Sequence, residues 1–579
     1  MEKPDPKVLE RAQRWLDDDY DQETKMRVRE MIENEPVELT DSFYRDLEFG
    51  TGGLRGLMGV GTNRMNKYTV GMATQGLANY LLECFSEEEQ LSVAIAFDSR
   101  NNSPFFADVA AEIMSANGIK VFLFDKLRPI PLLSYAVRHF GCQAGIVVTA
   151  SHNPKEYNGY KVFWEDGGQV VPPHDKNIIR EVQKIRQLDQ IRFGRVEELI
   201  EILDEEFDRL YIDTLKTYSL LPAGTASRKS LKIVFSPIHG SGVFLVPNAL
   251  KAFGFQQVFN VPGQDVVSGD FPTVQSPNPE EASAMKMALD RGRQVGADLV
   301  MATDPDGDRV GVAVEGPEGD YVLLNGNQTA AIMIYYILEQ WKARKQFTGN
   351  EYLVKTIVTT EVLAEMARHY GVECYDVLTG FKYIGELIGK LEGEKTFIAG
   401  GEESYGYLVG DYIRDKDAII SCCIVAEATA WAMEQGKSVY DLLAEIYSRF
   451  GFYHEKLLSV TRKGKAGLEE IQALMTRYRE NTPEAIMRVP VIRVHDYARG
   501  ETRNMVSGKT SALDFPTSNV LQFILEDGTI ITMRPSGTEP KIKFYVGVRG
   551  TLKDASGYRA VREQLDKLAD EYLRAMEPA

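Results

Sequence analysis

Short apolar runs alternate with helix-like stretches over most of the chain. Ser92–Phe97, Lys120–Phe124 and Ile146–Thr149 are strand-like, and a helical pattern at Phe106–Asn117 separates the first two. Apolar runs of this length are typical of strands that are buried on both faces. Their alternation with helices predicts a largely parallel sheet covered by helices on both sides.

The same pattern recurs further along the chain, each time with a polar loop after the strand. Lys232–Phe235 leads into Ser236–Gly242, and Asp298–Ala302 leads into an aspartate-rich loop. Thr396–Ala399 leads into Gly400–Gly406. Because α/β sheets bind ligands at the carboxyl ends of their strands, these loops are candidate ligand sites. The chain is therefore predicted to contain three similar α/β domains with mixed, largely parallel sheets.

The two ends of the chain differ from this pattern. Residues 5–35 have helical spacing, and a long helix is predicted over Glu197–Ser219 at the end of the first domain. Near the C-terminus, helical Gly467–Tyr478 precedes a strand-like run and a hairpin turn at Asp527–Gly528, which indicates an α+β domain. We predict an N-terminal helical extension at residues 1–40, and four domains at residues 41–220, 221–325, 326–450 and 451–579.

Composition limits the possible partners. The chain has 579 residues, which is enough for several domains, and its 84 acidic against 66 basic residues give a net charge of −18. This charge disfavours binding to nucleic acid or to an anionic membrane. An anionic substrate would need its own local cluster of arginine and lysine.

Cysteine usage and hydropathy indicate a reduced, cytoplasmic setting. The five cysteines have no metal-ligand spacing, and their odd number argues against a disulfide framework. The N-terminus lacks the apolar segment of a signal peptide. Ala418–Met433 is the most apolar stretch, but Glu427 interrupts it and it is too short to span a bilayer, so it is predicted to be a buried helix that contains Cys422 and Cys423.

A serine follows the third strand of the first domain. Thr149–Pro154 come directly after the apolar run Ala144–Val148, which places Ser151 at a strand end. Such a hydroxyl suits the uptake and release of a phosphoryl group, provided that a base or a metal activates it. A turn serine that caps Asn153 and Pro154 is the alternative. Adjacent side chains on an extended chain point apart, so a hydrogen-bonded pair with His152 is not predicted.

Three carboxylates follow a strand of the second domain at alternate positions. Asp304, Asp306 and Asp308 would offer Mg²⁺ the hard oxygen ligands that it prefers. Glu315 stands at the twelfth position of a possible EF-hand loop, but Arg309 occupies the position that requires glycine, and the flanks are strand-like. A calcium module is therefore disfavoured, and a solvated acidic turn remains an alternative.

Two further loops suit a phosphorylated sugar. Arg534–Thr538 offers a guanidinium, hydroxyls and backbone N–H groups to a phosphate, although the same residues are common in turns. Gly401–Ser404 offers carboxylates and a hydroxyl to vicinal sugar hydroxyls, and Thr379–Gly385 could bring Lys382 to the same place. Gly401–Ser404 and Thr379–Gly385 could each instead be a helix N-terminus with acidic capping residues.

These four loops, in this order, resemble the α-D-phosphohexomutase superfamily and specifically its phosphoglucomutase branch. The resemblance extends from Phe49 to about Gly550. The 1–40 extension resembles the longer bacterial glucose-type enzymes and the related phosphopentomutase and glucose 1,6-bisphosphate synthase branch. Four domains around a central cleft, with a mobile fourth domain, are what the resemblance implies.

The resemblance also implies residue roles. Ser151 would carry the phosphoryl group, and Mg²⁺ would lie on its phosphate and on Asp304, Asp306 and Asp308. The other implied site residues are Arg309, which would position the phosphoserine; His152 and Lys382 for proton handling; Arg55, Lys161 and His239, which would line the cleft; Glu402 and Ser404 for sugar hydroxyls; and Arg534, Ser536, Gly537 and Thr538 for the substrate phosphate.

The implied reaction interconverts glucose 1-phosphate and glucose 6-phosphate through glucose 1,6-bisphosphate. Ser404 favours a hexose, and Tyr405 stands where relatives that also use mannose carry a histidine. Pentose or mannose phosphates, and a glucose 1,6-bisphosphate synthase, remain alternatives. An idle sugar-phosphate sensor would be expected to lack Ser151 or an aspartate, and all are present. The expected partner is a small sugar phosphate, and the oligomeric state stays open.

Overall fold

The computed structural model describes residues 4–50, 53–462, 464–536 and 541–576. The chain forms two compact units. Unit 1 contains the described residues of Met1–Leu324, Ile384–Ala399 and Ser404–Trp431, and unit 2 contains those of Asn325–Tyr383, Gly400–Glu403 and Ala432–Ala579.

The N-terminal extension is helical, as predicted, but it consists of three helices: α1 (Pro6–Asp17), α2 (Gln22–Asn34) and α3 (Pro36–Phe43). Asp5 caps α1 by accepting a hydrogen bond from the N–H of Lys7 at 2.8 Å. Asp21 caps α2 in the same way through Thr24, and this break divides the predicted helical stretch. Trp15 is buried and stacks on Tyr20, with ring centroids 4.3 Å apart.

The first sheet belongs to unit 1 and has the strand order β1-β5-β4-β2-β3-β6. β2, β3, β4 and β6 are mutually parallel where they pair, and β5 is antiparallel to both β4 and β1. Phe97 at the end of β2 lies opposite Val148 at the end of β4, so the loops after both strands meet at one edge. The elements are β1 (Leu54–Leu57), α4 (Lys67–Cys84), β2 (Ser92–Phe97), α5 (Ser103–Ala116), β3 (Lys120–Phe124), α6 (Ile130–Phe140), β4 (Ala144–Val148), β5 (Tyr157–Trp164), α7 (His174–Lys184), β6 (Ile200–Leu203) and α8 (Glu205–Lys216).

The predicted long helix over Glu197–Ser219 is wrong. Residues 200–203 form β6, which pairs in parallel with β3 at the sheet edge. Asp204 then starts α8 by accepting a hydrogen bond from the N–H of Glu206 at 2.8 Å. An N-cap of this kind marks a new helix, and the pairing partner of β6 lies about 80 residues earlier in the chain.

The second sheet, also in unit 1, has the order β11-β10-β9-β7-β8. β7 is parallel to β8 and β9, whereas β9, β10 and β11 form antiparallel pairs. Thr303 lies opposite Val310, so the aspartate loop is the turn of a β-hairpin, and the EF-hand alternative is excluded. The elements are α9 (Ser227–Ser230), β7 (Lys232–Ser236), α10 (Gly242–Ala252), β8 (Gln257–Asn260), α11 (Ala282–Val295), β9 (Leu299–Thr303), β10 (Val310–Glu315) and β11 (Tyr321–Leu324).

The next part of the chain is again α/β, and β12 and β13 are parallel. The predicted buried helix is α15, in which Cys422, Cys423 and Glu427 are all buried. In the described part of the chain, no helix combines the length and the apolar character needed to cross a membrane. The elements are α12 (Gly326–Ala343), β12 (Glu351–Thr356), α13 (Val362–Tyr370), β13 (Glu373–Val377), α14 (Phe381–Leu391), β14 (Thr396–Gly401), β15 (Tyr407–Val409), α15 (Ala418–Glu434) and α16 (Val439–Phe450).

The C-terminal segment of unit 2 is α+β, as predicted, with an antiparallel sheet in the order β16-β23-β22-β21-β18-β19-β20 and β17 paired with β18. The predicted hairpin turn joins β21 to β22, and Gly528 has the positive φ (86°) that this turn requires. The elements are β16 (Phe452–Thr461), α17 (Gly464–Glu480), β17 (Ala485–Ile486), β18 (Val489–Asp496), β19 (Glu501–Asn504), β20 (Thr510–Ala512), β21 (Leu521–Leu525), β22 (Ile530–Pro535), β23 (Lys541–Gly550) and α18 (Tyr558–Met576).

Candidate active site

Ser151 lies in a tight turn at the carboxyl end of β4. Its φ of 53° is in the left-handed region, which costs energy for a residue with a Cβ atom. Thr149 holds the turn: its Oγ1 accepts a hydrogen bond from the N–H of Ser151 at 2.9 Å and donates one to Asp98 at 2.6 Å. Strain that is held in place in this way is typical of functional sites.

His152 lies close to the serine hydroxyl, with 3.2 Å between Ser151 Oγ and His152 Nδ1. The expectation that these side chains diverge is wrong, because the left-handed turn at Ser151 removes the extended geometry on which it depended. Burial, followed by the positive charge of Arg309, holds the pKa of His152 well below its usual value. The imidazole is therefore neutral near pH 7.

Arg100 fixes the backbone of the loop that carries Ser151, and this residue was not predicted as part of the site. Its side chain is buried and donates hydrogen bonds to the carbonyls of Ser151 (2.6 Å), Asn153, Pro154 (2.8 Å) and Tyr157 (3.1 Å). A single guanidinium thus bonds four carbonyl groups of the turn. The sequence signal was only that Arg100 follows the strand-like run Ser92–Phe97.

The three aspartates are buried in the hairpin between β9 and β10. Carboxylate oxygens of Asp304, Asp306 and Asp308 all lie within 4.8 Å of one another. Asp304 Oδ2 accepts a hydrogen bond from Ser151 Oγ at 3.0 Å, which brings the serine and the aspartate loop together as predicted. Because the carboxylates are buried, the solvated-turn alternative is excluded.

Two lysines partly neutralise this cluster. Lys161 Nζ lies 2.9 Å from Asp306, and Lys416 Nζ lies 3.2 Å from Asp308 and 2.9 Å from Asp415. Lys161 was predicted as a site residue, whereas Lys416 was not. Lys416 is far from the aspartates in sequence, and the only local signal was a run of charged residues before the apolar helix α15.

The cluster carries more negative charge than its surroundings can stabilise. Burial and then the charges of Asp306 and Asp308 raise the pKa of Asp304 well above its usual value. Burial and Asp306 also raise the pKa of Asp308. Burial is the largest influence on Asp306 and would raise its pKa, but Lys161, a hydrogen bond with Asp304 and the charge of Lys416 together hold the pKa of that carboxyl below its usual range.

The residues present could hold a metal ion. Asp306 Oδ1 and Asp308 Oδ1 are buried and accept no hydrogen bond within the described ranges of the chain. Buried carboxylate oxygens without a partner are unfavourable unless a cation occupies the space between them. Oxygen donors of this kind suit a hard divalent cation.

Three further predicted residues of unit 1 occupy different environments. Arg309 ion-pairs with Glu280 at 2.7 Å, and its N–H donates to Asp304 at 3.1 Å. Arg55 is an exposed residue of β1, opposite Gly159 of β5. His239 is fully buried, and both of its ring nitrogens are hydrogen-bonded to protein groups.

The predicted sugar loop lies at the end of β14. In unit 2, Glu402 Oε1 accepts a hydrogen bond from the N–H of Gly380 at 2.8 Å, immediately before α14. An acidic residue thus caps the segment that carries Lys382, as the capping alternative predicted. Lys382 itself lies over the ring of Tyr383, with its Nζ 5.1 Å from the ring centroid. Ser404 belongs to unit 1, just before Tyr405, whose carbonyl accepts a hydrogen bond from Val310 at 3.1 Å.

The predicted phosphate loop follows β22 in unit 2. Arg534 pairs with Lys543 across β22 and β23, and the N–H of Ser536 donates to the carbonyl of Lys541 at 2.7 Å. Gly537 and Thr538 lie outside the described residues. Burial and the neighbouring Glu402 raise the pKa of Glu403 to about 7, against the opposing charges of Lys543 and Arg534.

Comparison with known proteins places the chain in a family. The four domains of phosphoglucomutase/phosphomannomutase all match in order: α/β/α domain I at residues 46–189, domain II at 209–319, domain III at 325–450 and the C-terminal domain at 458–563. The chain therefore belongs to the phosphoglucomutase/phosphomannomutase family.

Individual relatives agree with this assignment. A phosphoglucomutase from Staphylococcus haemolyticus (strain JCSC1435) is 35% identical over 506 residues, covering 87% of this chain and 91% of that protein. A phosphoglucomutase from Staphylococcus aureus (strain MRSA252) is 34% identical over 513 residues, covering 89% and 91%. Among solved structures, pp63/parafusin, a phosphoglucomutase from Paramecium, has the same fold, with a TM-score of 0.67 at 18% identity over 91% of this chain and 96% of that one.

Proposed function

We propose that the protein is a phosphoglucomutase that interconverts glucose 1-phosphate and glucose 6-phosphate. The observation that carries this proposal is the position of Ser151 Oγ. It lies 3.0 Å from Asp304, which belongs to a cluster of three buried carboxylates. The 35% identity to a phosphoglucomutase over most of both chains supports the choice of substrate.

In the proposed reaction, Ser151 carries the phosphoryl group. The bond between Ser151 Oγ and phosphorus breaks as the free hydroxyl of the sugar phosphate forms a new bond to phosphorus, which yields glucose 1,6-bisphosphate. After the bisphosphate has reversed its orientation, Ser151 Oγ takes the phosphoryl group from the other end of the sugar. When Ser151 Oγ attacks the bisphosphate in the second transfer, its proton needs a neutral acceptor, and His152 is neutral with its Nδ1 3.2 Å from Ser151 Oγ. Lys382 is the second candidate.

The proposed metal is Mg²⁺, held by Asp304, Asp306, Asp308 and the phosphate on Ser151. When bound, it would neutralise negative charge on the transferring phosphoryl group. Lys161 and Lys416 add positive charge at the same carboxylates. Arg100 keeps the serine turn in one conformation while the charge on Ser151 changes, because its hydrogen bonds go to backbone carbonyls.

The remaining predicted residues are assigned to substrate binding. Glu402 and Ser404 would hold the sugar hydroxyls, and Arg534, Ser536, Gly537 and Thr538 would hold the distal phosphate. Arg55, Arg309, Lys161 and Lys382 would supply positive charge, which an anionic substrate needs in a chain with a net charge of −18. His239, which is buried, is assigned to positioning instead.

We expect glucose 1-phosphate to be the best substrate in a coupled assay that compares glucose, mannose and ribose 1-phosphates. Addition of glucose 1,6-bisphosphate should activate the enzyme by restoring the phosphate on Ser151 in molecules that have lost it. Turnover of ribose 1-phosphate that equals or exceeds that of glucose 1-phosphate would contradict the proposed substrate. Net formation of bisphosphate from a separate phosphoryl donor would instead indicate a glucose 1,6-bisphosphate synthase.

The substitution Glu402→Gln should lower kcat/KM for glucose 1-phosphate by about 10–100-fold, since hydrogen bonds to a charged group contribute about 1.5–3 kcal/mol. Glu403→Gln is the matched control, and it should lower kcat/KM at pH 7 by less than about 3-fold, the effect expected of a weak charge contribution. The reason is that the Glu403 pKa of about 7 leaves that carboxyl only partly charged. Steady-state kinetics of both variants decide the assignment, and equal losses would contradict it.

A further inference from the structure

A loop of the second sheet packs against the turn that carries Ser151. We call residues 264–276 the buttress loop and residues 149–157 the nucleophile loop. Gln264 holds the base of the buttress loop: its Oε1 accepts a hydrogen bond from Ser236 at 2.6 Å, and its Nε2 donates to Thr273 at 3.2 Å. Both segments belong to unit 1.

His239 fixes the buttress loop at two points. Its Nδ1 lies 2.7 Å from the carbonyl of Val266, and its Nε2 lies 2.8 Å from Thr273 Oγ1. Because a carbonyl can only accept, Nδ1 carries a proton at the first contact. His239 and the preceding Ile238 have φ values of 64° and 44°, so the turn that presents the ring is strained. These contacts explain why a histidine at a strand end is fully buried.

The buttress loop delivers Phe271 to Arg100. Phe271 is only 2% exposed and has a φ of 44°, an unfavourable conformation for an aromatic residue. The centroid of its ring lies 5.1 Å from the guanidinium carbon of Arg100, within the range of a cation–π interaction. Next to it, Gly269 approaches the backbone so closely that a Cβ atom there would lie 2.2 Å from the nitrogen of Asn101.

Other contacts tie the same two loops together. Asp270 lies 3.5 Å from Lys155 Nζ, and Ser276 donates a hydrogen bond to the carbonyl of His152 at 3.2 Å. Arg100 in turn bonds the carbonyls of four residues of the nucleophile loop. His239 thus fixes the loop on either side of Phe271, and Phe271 contacts Arg100, which bonds the backbone of Ser151.

We propose that Phe271 is a positioning residue for Ser151, and that His239 acts through it. The ring holds the guanidinium of Arg100 from one side while the carbonyls of the nucleophile loop hold it from the other. Loss of the ring lets the guanidinium shift and releases the strained turn at Ser151. This inference rests on the proposed role of Ser151 as the phosphoryl carrier.

The first test compares Phe271→Leu with Phe255→Leu, which removes an equally buried ring after α10 in the same sheet domain. Phe271→Leu should lower kcat about 10-fold or more with KM changed less than about 2-fold, because misplacement of a reacting group acts on the chemical step. Phe255→Leu should leave kcat within about 2-fold, an effect too small for a misplaced reacting group, even if it lowers the thermal midpoint equally. Equal kcat values in the two variants would overturn the proposal.

Hydrogen–deuterium exchange gives a readout that does not need activity. Peptides covering residues 149–157 should exchange faster in Phe271→Leu than in Phe255→Leu, since local opening of the turn exposes its amides. Unchanged exchange there would overturn the positioning role. If wild-type protein carries no phosphoryl group and has no mutase activity, the proposed function fails, and the exchange result still decides whether Phe271 positions this loop.

A series of fluorinated phenylalanines at position 271 tests the interaction between the ring and the guanidinium separately from any effect of misfolding. Fluorine withdraws electron density from the ring face with little change in size, so it weakens a cation–π interaction stepwise. We expect kcat to fall progressively from phenylalanine to its mono-, di- and trifluoro derivatives at constant thermal midpoint. A flat series would show that the ring only fills space, and this would overturn the proposal.

Discussion

Ser151→Ala should lower kcat for glucose 1-phosphate by at least about 10⁴-fold, because the proposed reaction has no other group to carry the phosphoryl. Intact mass spectrometry of wild-type protein should show a fraction with one phosphoryl group, and peptide mapping should place it on Ser151. The variant should lack this fraction. Both measurements are needed, since a phosphate on Ser151 without turnover would indicate only a stable modification.

Ser99→Ala is the matched control. Ser99 follows β2 at the same sheet edge, and its hydroxyl is buried without a hydrogen-bond partner among the described residues. Its loss should therefore change kcat by less than about 3-fold, as is usual away from the reacting atoms. Retention of more than a tenth of wild-type activity in Ser151→Ala would disprove the phosphoserine mechanism.

Asp308→Asn should have opposite effects on activity and on the stability of the metal-free protein. Loss of a metal ligand should lower kcat and Mg²⁺ affinity, measured by titration calorimetry, by at least about 100-fold. Burial and Asp306 raise the pKa of Asp308, so at neutral pH its charge destabilises the fold, and the neutral amide should raise the thermal midpoint measured in a chelator. This gain should disappear as the pH falls below the unfolded pKa, because the carboxyl is then protonated in both states.

Asp290→Asn is a control for which the expected change in the thermal midpoint has the opposite sign. Asp290 is half-exposed and ion-paired with Lys286 at 2.6 Å, and this partner lowers its pKa. The substitution should therefore slightly lower the thermal midpoint near pH 7 and leave activity unchanged. A metal-free Asp308→Asn protein that is less stable than wild type at pH 7 would contradict the idea that the cluster carries excess negative charge.

The parts of the site that follow a strand directly could be predicted from the sequence. Ser151 and Asp304 each come after a buried apolar run, so their position at a sheet edge depends only on local pattern. The flanks of the aspartate loop are similarly apolar, and together with Arg309 they disfavour an EF-hand, which the antiparallel pairing of β9 and β10 excludes. Local sequence was sufficient because hairpin and strand-end geometry are local properties.

Contacts between distant segments could not be predicted. Arg100 reaches the nucleophile loop because β2 and β4 are neighbours in the sheet, and Lys416 reaches Asp308 across more than a hundred residues. The contact between Ser151 and His152 depends on a left-handed backbone angle at Ser151, which a serine does not favour. The sequence pattern predicted that His239 follows a strand. The groups that it hydrogen-bonds, however, belong to the buttress loop.

A contact between distant segments also explains why the helix predicted over Glu197–Ser219 is wrong. Residues 200–203 alternate Ile and Glu and then Ile and Leu, which is compatible with one turn of an acidic helix. Pairing with β3 makes this segment a strand, and tertiary pairing routinely overrides local preference in short segments. Asp204 could have been recognised as an N-cap, since acidic residues follow it in the first turn of α8.

The hydrogen bonds of Arg100 have a consequence for how this protein can change over evolution or by engineering. They reach carbonyl oxygens, which every amino acid possesses, so this part of the support does not depend on the side chains of Asn153, Pro154 and Tyr157. The exposed position Glu156, whose side chain takes part in none of the contacts described above, is therefore open to substitution, for example by a spectroscopic probe beside the serine. Arg100, Thr149 and Phe271 are the positions that any such variant should keep.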